Sequence, residues 1–237
     1  MDINDYRYVA HRGLFDNKNK IPENSLLAFS EAIEKGYAIE FDVHLTKDLN
    51  IVVYHDSNLE KLTGLNKEIE ACTLNELKQL KLLDTNLLIP TLDELLELVD
   101  AKVPLLIEIK NEKIVGPLEK LLMKRLEKYN GKYVIESFNP LSISWVKNHY
   151  KNVAVGQLLV GEGHFFREYI TKVLDLFIKP EFIAYDINHL TKLQRKYCDE
   201  KNIYLLSWTI RNKEELEKAR TLSDGIIFEI TEDENLL

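Results

Sequence analysis

The chain has 237 residues, 45% of them apolar and 30% charged, and a formal charge of −8. This profile excludes disordered and fibrous classes and is long enough to bury a substantial core. The acidic balance speaks against a nucleic-acid partner, and two distant cysteines, Cys72 and Cys198, speak against a disulfide framework or a cysteine zinc site.

The opening from Met1 to Arg7 is polar and acidic, which fits neither a signal peptide nor an anchor, and no apolar run approaches a membrane span. The expectation is a cytoplasmic enzyme with no stable membrane association. Tyr8–His11 is a short predicted strand ending at Arg12-Gly13. Pro22-Glu23-Asn24-Ser25 then opens a helix that Asn24 or Ser25 can cap; Leu26, Leu27, Phe29, Ala32 and Ile33 form its apolar face, and Gly36 ends it.

Ala38–Leu45 alternates apolar and polar residues, the period of a strand. Side chains two apart share a face, so Glu40, Asp42 and His44 point one way and Ile39, Phe41, Val43 and Leu45 the other. Two adjacent carboxylates on one face repel each other unless water, a cation or a metal compensates. A polar gap, residues 46–50, leads to a second apolar run, Ile51–Asp56, and the pair reads as a hairpin. Folded about Asp48, it brings His55 roughly opposite Asp42. His44 reads as a water-exposed hairpin residue.

Residues 57–88 read as an insertion, mostly loop, with a short helix over 73–82 that opens on a Thr73/Glu76 capping box. Thr91 and Glu94 cap a helix running to Val99. Strands follow at Leu105–Lys110, Tyr133–Phe138, Val153–Leu158, Phe182–Tyr185, Ile203–Thr209 and Gly225–Phe228, with helices at about 114–129, 140–150, 164–178, 190–201 and 212–221. Setting the hairpin return aside leaves eight parallel strands. Residues 1–237 are therefore expected to form a single (β/α)8 TIM barrel of the α/β class, with its active site at the C-terminal strand ends.

Those ends carry His11, Arg12, Glu40, Asp42, Glu108, Lys110, Glu136, Gln157 and Trp208. Glu40, Asp42 and Glu108 can converge on one hard cation, and oxygen-only ligation suits Mg2+ or Ca2+. Arg12 and Lys110 add fixed positive charge suited to a phosphate. His11 and His55 can exchange protons near neutral pH. Together these groups suggest phosphoester cleavage. His149, His164 and His189 have no partner visible in the sequence and read as solvated.

The ordered set His11-Arg12-Gly13, Pro22-Glu23-Asn24-Ser25, Glu40-x-Asp42-Val43, Leu45-Thr46-Lys47-Asp48, His55-Asp56, Ile89-Pro90-Thr91-Leu92, Glu108-Ile109-Lys110, Ser137-Phe138, Ser207-Trp208-Thr209 and Asp224-Gly225-Ile226-Ile227 resembles the glycerophosphodiester phosphodiesterases, from about Tyr8 to Phe228. The resemblance implies metal-dependent hydrolysis of small glycerophosphodiesters to glycerol phosphate and an alcohol. It implies Glu40, Asp42 and Glu108 as metal ligands and His11 and His55 as the acid/base pair, with His11 taken as base. It also implies Arg12 and Lys110 on the phosphate, Trp208 as a wall of the glycerol subsite, and Glu136 and Phe138 lining the pocket. Two departures stand out. Leu49-Asn50 replaces the usual glycine turn, where Asn50 is expected to take the left-handed backbone. The last strand runs into Phe228-Glu229-Ile230, which leaves barrel closure and an eighth helix over 231–237 open. The rival readings are a phosphodiesterase acting on lipid head groups, with the segment from Leu158 to Phe166 as its surface, and an inactive barrel that binds phosphorylated ligands.

Overall fold

Eight parallel strands close on themselves in a computed structural model that describes residues 3–111, 114–161 and 178–229. In chain order they are β1 (Tyr8–Ala10), β2 (Ala38–Leu45), β4 (Leu105–Ile109), β5 (Tyr133–Ser137), β6 (Val155–Leu159), β7 (Phe182–Asp186), β8 (Tyr204–Ile210) and β9 (Gly225–Phe228). The ninth, β3 (Ile51–Val53), hangs antiparallel on β2. The helices are α1 (Leu26–Lys35), α2 (Glu60–Thr63), α3 (Leu74–Leu77), α4 (Leu92–Val99), α5 (Pro117–Leu126), α6 (Pro140–His149), α7 (Lys192–Lys201) and α8 (Lys213–Leu222). This is a (β/α)8 barrel. The closure left open by the last strand is made: β9 pairs with β1 in the register Tyr8↔Ile226, Val9↔Ile227, Ala10↔Phe228, and β1 pairs onward with β2. The helix expected over 164–178 lies, but for Ile178, outside the described residues, as does the segment 231–237.

Two apolar layers follow from the strand period. Outward-facing Ile39, Phe41, Ile107 and Ile135 pack under the helices, and inward-facing Val9, Leu106, Val134, Ala184 and Ile227 fill the barrel. Inside, Gly156 makes room for a large neighbour, since a Cβ there would lie 2.1 Å from the Phe182 ring. Ser25 caps α1 by accepting from the Ala28 amide at 3.2 Å, which leaves Asn24 free for another role.

Three expectations are corrected. The hairpin register is Val43↔Val53, and the Tyr54 amide donates to the Asp42 carbonyl at 3.1 Å, so Tyr54 rather than His55 stands opposite Asp42. His55 reaches the site only after β3 has ended. In the turn it is Leu49, exposed and at φ +63°, that takes the left-handed backbone. The turn survives because Thr46 braces it: its Oγ1 accepts from the Asn50 amide at 2.9 Å and donates to Asp48 at 2.7 Å. Residues 57–88 are more ordered than a loop. They hold α2 and α3 and pack Leu59, Leu62, Ile69, Leu77 and Leu82 with Val52 and Tyr54 into a small core of their own. Both expected capping boxes are present, at Thr73/Glu76 and Thr91/Glu94, although α3 ends at Leu77.

Candidate active site

Register sets the floor of the site. Asp42 pairs with Glu108 and Glu108 with Glu136, so three acids stand on one level of three adjacent strands, one pleat above the apolar filling that includes Leu106 and Val134. Glu40 stands one pleat below Asp42 on the same strand. All four are buried, at 6% exposure or less. One cleft is lined by His11, Arg12, Glu40, His55, Glu108, Lys110, Glu136, Phe138 and Trp208, with Thr209 and Arg211 among its walls. Asp42, fully buried, lies beneath them.

Two cations partly neutralise this floor. Lys110 Nζ lies 3.0 Å from Asp42 Oδ1 and 2.7 Å from Glu108 Oε1, so it bridges the two carboxylates. Arg12 Nε is 3.6 Å from Asp42 Oδ2, and Arg12 Nη1 donates to Glu23 at 2.6 Å. The Arg12 amide donates to Glu40 Oε2 at 3.0 Å, and Asn24 Nδ2 donates to Asp42 Oδ2 at 2.7 Å. Arg12 and Asn24 both take left-handed backbone, φ +54° and +57°, and the Asn24 amide pins the Arg12 carbonyl at 3.0 Å. Such positions cost on the order of 1 kcal/mol each and persist where surroundings hold them.

The charges leave the acids unequal. Burial works against the Asp42 carboxylate, but Lys110 and Arg12 hold it well below the usual range. Burial raises Glu108 to about 8, against Lys110 and with Asp42. Burial, then the neighbouring acids, raises Glu40 and Glu136 well above an ordinary glutamate. Two cations are therefore too few to keep all four acids ionised.

A divalent cation fits that deficit. One oxygen from each of Glu40, Asp42 and Glu108 lies within 4.8 Å of the others. Two oxygens bound at about 2.4 Å to one ion are at most about 4.8 Å apart. Among the described residues Glu40 Oε1 is buried without a hydrogen-bond donor, and Asp42 Oδ1 and Glu108 Oε1 are buried beside Lys110 in ion-pair contact. The all-oxygen donor set suits Mg2+ or Ca2+.

Two histidine–carboxylate pairs flank the acids. His11 Nδ1 donates to Glu229 Oε1 at 2.5 Å, which leaves Nε2, 3.8 Å from Glu40, as an acceptor. His55 Nδ1 donates to Asp56 Oδ1 at 2.6 Å. Burial lowers both imidazoles below the ordinary histidine value, so the neutral form is favoured. Burial opposes ionisation of Glu229, but the hydrogen bond from His11 and the charges of His11 and Arg211 bring it down to about 2. Arg211 Nε donates to its other oxygen at 2.7 Å.

Phe138 is half-exposed and meets Trp208 edge to face at 5.6 Å between centroids; Lys110 Nζ is 6.0 Å from the Phe138 ring. Gln157 does not line the cleft; its side-chain amide donates to the Ser137 and Phe138 carbonyls at 3.0 and 3.1 Å, holding the end of β5. Sequence reasoning left Glu229, Arg211 and Glu23 without a role and read Asn24 only as a candidate helix cap. Glu229 had a signal, since it sits where the last strand departs from the usual ending.

Of the remaining histidines, His44 departs from expectation, and His149 is exposed as expected. His44 is buried, not wet, and meets the His55 carbonyl. His149 stacks on Trp145 at 4.1 Å and donates to its carbonyl, and His189 pairs with Asp186 at 2.6 Å. His164 lies outside the described residues.

Comparison with known proteins agrees with this geometry. Residues 11–231 match the sequence model of the Glycerophosphoryl diester phosphodiesterase family. The chain is 34% identical to a glycerophosphodiester phosphodiesterase of Caldanaerobacter subterraneus subsp. tengcongensis, over 92% of each chain. It superposes on the crystal structure of a Thermotoga maritima glycerophosphodiester phosphodiesterase with a TM-score of 0.75 at 27% identity, covering 94% of each chain. It shares its fold, at a TM-score of 0.82 and 22% identity, with an Oleispira antarctica phosphodiesterase solved in complex with the product sn-glycerol-3-phosphate, covering 94% of this chain and 92% of that one. No helix among the described residues is long and apolar enough to cross a membrane.

Proposed function

This chain belongs to the glycerophosphoryl diester phosphodiesterase family and is an enzyme, and from that premise we propose that it hydrolyses glycerophosphodiesters to glycerol phosphate and an alcohol. One observation carries the reading: two histidine–carboxylate pairs stand in one cleft around a cluster of acids and cations. Glu40, Asp42 and Glu108 would hold a divalent cation, Mg2+ or Ca2+, which supplies Lewis-acid polarisation of the phosphate and offsets transition-state charge.

The chain's own groups do the rest. Arg12 and Lys110 attract the phosphate, and their pairing with Asp42 and Glu23 keeps both cations fixed in place. His11 Nε2 takes the proton from the attacking oxygen, that of a water or of a glycerol hydroxyl whose cyclic phosphate a water then opens; Glu229 holds the tautomer that leaves that nitrogen bare and stabilises the imidazolium that forms. His55, in the imidazolium form that Asp42 and Asp56 favour, gives its Nε2 proton to the leaving alcohol oxygen and returns to the neutral ring, with Asp56 accepting from Nδ1–H throughout. Phe138 and Trp208 form an apolar wall beside Lys110 for the glycerol carbons. Glu136, whose carboxyl burial raises well above an ordinary glutamate, lines the cleft.

A second reading, hydrolysis at a lipid head group, is favoured by Leu49, Ile114, Leu141 and Val160, all more than half exposed and all in segments that follow C-terminal strand ends. Turnover of glycerophosphocholine beside lysophosphatidylcholine, each with Mg2+, with Ca2+ and with excess chelator, tests both. The main reading expects glycerophosphocholine to be cleaved only with metal. Absence of turnover with either ion overturns it, and cleavage of the lipid alone favours the second.

A further inference from the structure

The third residue on the acidic face of β2 has no part in the chemistry above. Glu40 and Asp42 stand below it on the same face, and His44 is 4% exposed. Its Nε2 lies 3.1 Å from the backbone carbonyl of His55. A carbonyl only accepts, so His44 is the donor and carries its proton on Nε2. That leaves Nδ1 as a bare acceptor, and Nδ1 is buried without a donor among the described residues.

The position of this contact matters. The last antiparallel backbone bond of the hairpin is the one from the Tyr54 amide to the Asp42 carbonyl, at 3.1 Å. At the next residue the chain has left β3, and the side chain of His44 takes up the His55 carbonyl where the ladder has stopped. The His55 ring itself is fixed through Nδ1 by Asp56 at 2.6 Å. Two anchors thus hold one imidazole: Asp56 sets the ring, and His44 sets the backbone from which the ring projects.

We propose that His44 is a positioning residue whose Nε2–H holds the His55 carbonyl and so fixes where the His55 imidazole meets the leaving group. This rests on the reading of His55 as a proton carrier. A misplacement of about 1 Å at a reacting group costs about 100-fold, so the contact is worth having although His44 touches no substrate. A hydrogen bond serving only the hairpin would instead affect folding, and all substrates alike.

The test compares His44→Leu, which keeps apolar bulk without a donor, with His44→Gln, whose side-chain amide nitrogen lies near the place of a histidine Nε2. His55→Ala is the reference. kcat/KM is measured on glycerophosphocholine and on a p-nitrophenyl glycerophosphodiester, alongside Tm. His44→Leu is expected to lose about 10- to 100-fold on the choline substrate and much less on the aryl one, the same pattern as His55→Ala, and His44→Gln is expected to recover most of the loss. Equal loss on both substrates, or no recovery with Gln, overturns the proposal and leaves the role of His55 standing. An unimpaired His55→Ala instead overturns the role of His55, and this proposal with it. Should His44→Leu fail to fold, long-range 1H–15N spectra of the parent enzyme decide: a proton on His44 Nε2 supports the contact, and one on Nδ1 overturns it.

Discussion

Glu229, at the end of the last barrel strand, accepts a hydrogen bond from His11, at the end of the first, at 2.5 Å. The two are 218 positions apart in the chain and neighbours only because β9 closes on β1. Barrel closure and the state of His11 are therefore one arrangement. Glu229→Gln keeps an acceptor but removes the charge that favours imidazolium. Burial already lowers the His11 pKa and Glu229 opposes that, so the variant should lower it further. A base works only when neutral, so the acid limb of the kcat/KM profile should move to lower pH while the plateau falls about 10²–10³-fold. An acid limb that moves to higher pH would contradict the assignment.

Metal affinity should rise with pH. In the metal-free cluster Glu108 titrates at about 8, above its ordinary 4.5, because it is buried. A cation must displace that proton, so binding should tighten up to about pH 8 and release protons in calorimetry run in two buffers. The sign for stability follows. A carboxyl raised in the folded state stabilises below its unfolded pKa, and that contribution is lost as pH rises towards the folded value. The chelated protein should thus lose Tm between pH 5 and 8, and the metal-loaded protein should lose less. Equal Tm profiles with and without metal would count against the site.

Glu108→Gln should lose far more activity than Glu136→Gln. The first removes a candidate metal ligand that faces Lys110 and Asp42; the second changes only the pocket lining, where burial already works against the charged form. Both stand at the same level on adjacent strands, so kcat/KM for the pair is a controlled comparison. The reverse order would mean that the ligand set is misplaced by one strand.

Leu49→Gly should stabilise the protein. Leu49 is 61% exposed and at φ +63°, where a side chain costs about 1 kcal/mol and glycine costs nothing in steric terms. Tm should rise by about 2 °C with kcat/KM unchanged. A drop in Tm would mean that the Leu49 side chain contributes more by packing than its backbone costs.

The legible and illegible parts of this protein differ in sequence range. The alternation in Ala38–Leu45 put Glu40 and Asp42 on one face, and the alternation of strand and helix runs led to the barrel, because both signals are local. His55 came to the right cleft for an approximate reason: the register is offset by one, and the chain reaches the site after β3 rather than along it. Asn24 read as a cap because a helix start explains an asparagine locally; its contact with Asp42 needs the strand beside it. His44 looked wet because the hairpin's outer face cannot be known until residues 57–88 are packed, and their small core joins residues far apart. Glu229 was visible only as a departure, since its partner stands at the other end of the chain.

The division of labour between His11 and His55 is the centre of this account, and leaving-group dependence tests it most directly. kcat/KM is measured for His11→Ala and His55→Ala on glycerophosphocholine and on a p-nitrophenyl glycerophosphodiester. Choline leaves as a poor alkoxide and needs a proton, whereas p-nitrophenol departs as a stable anion. His55→Ala should fall about 10²–10⁴-fold on the choline substrate and recover much of its rate on the aryl one, and His11→Ala should be crippled on both. Rescue of His11→Ala by the aryl group would show the roles reversed, and rescue of neither would mean that some other group carries the proton.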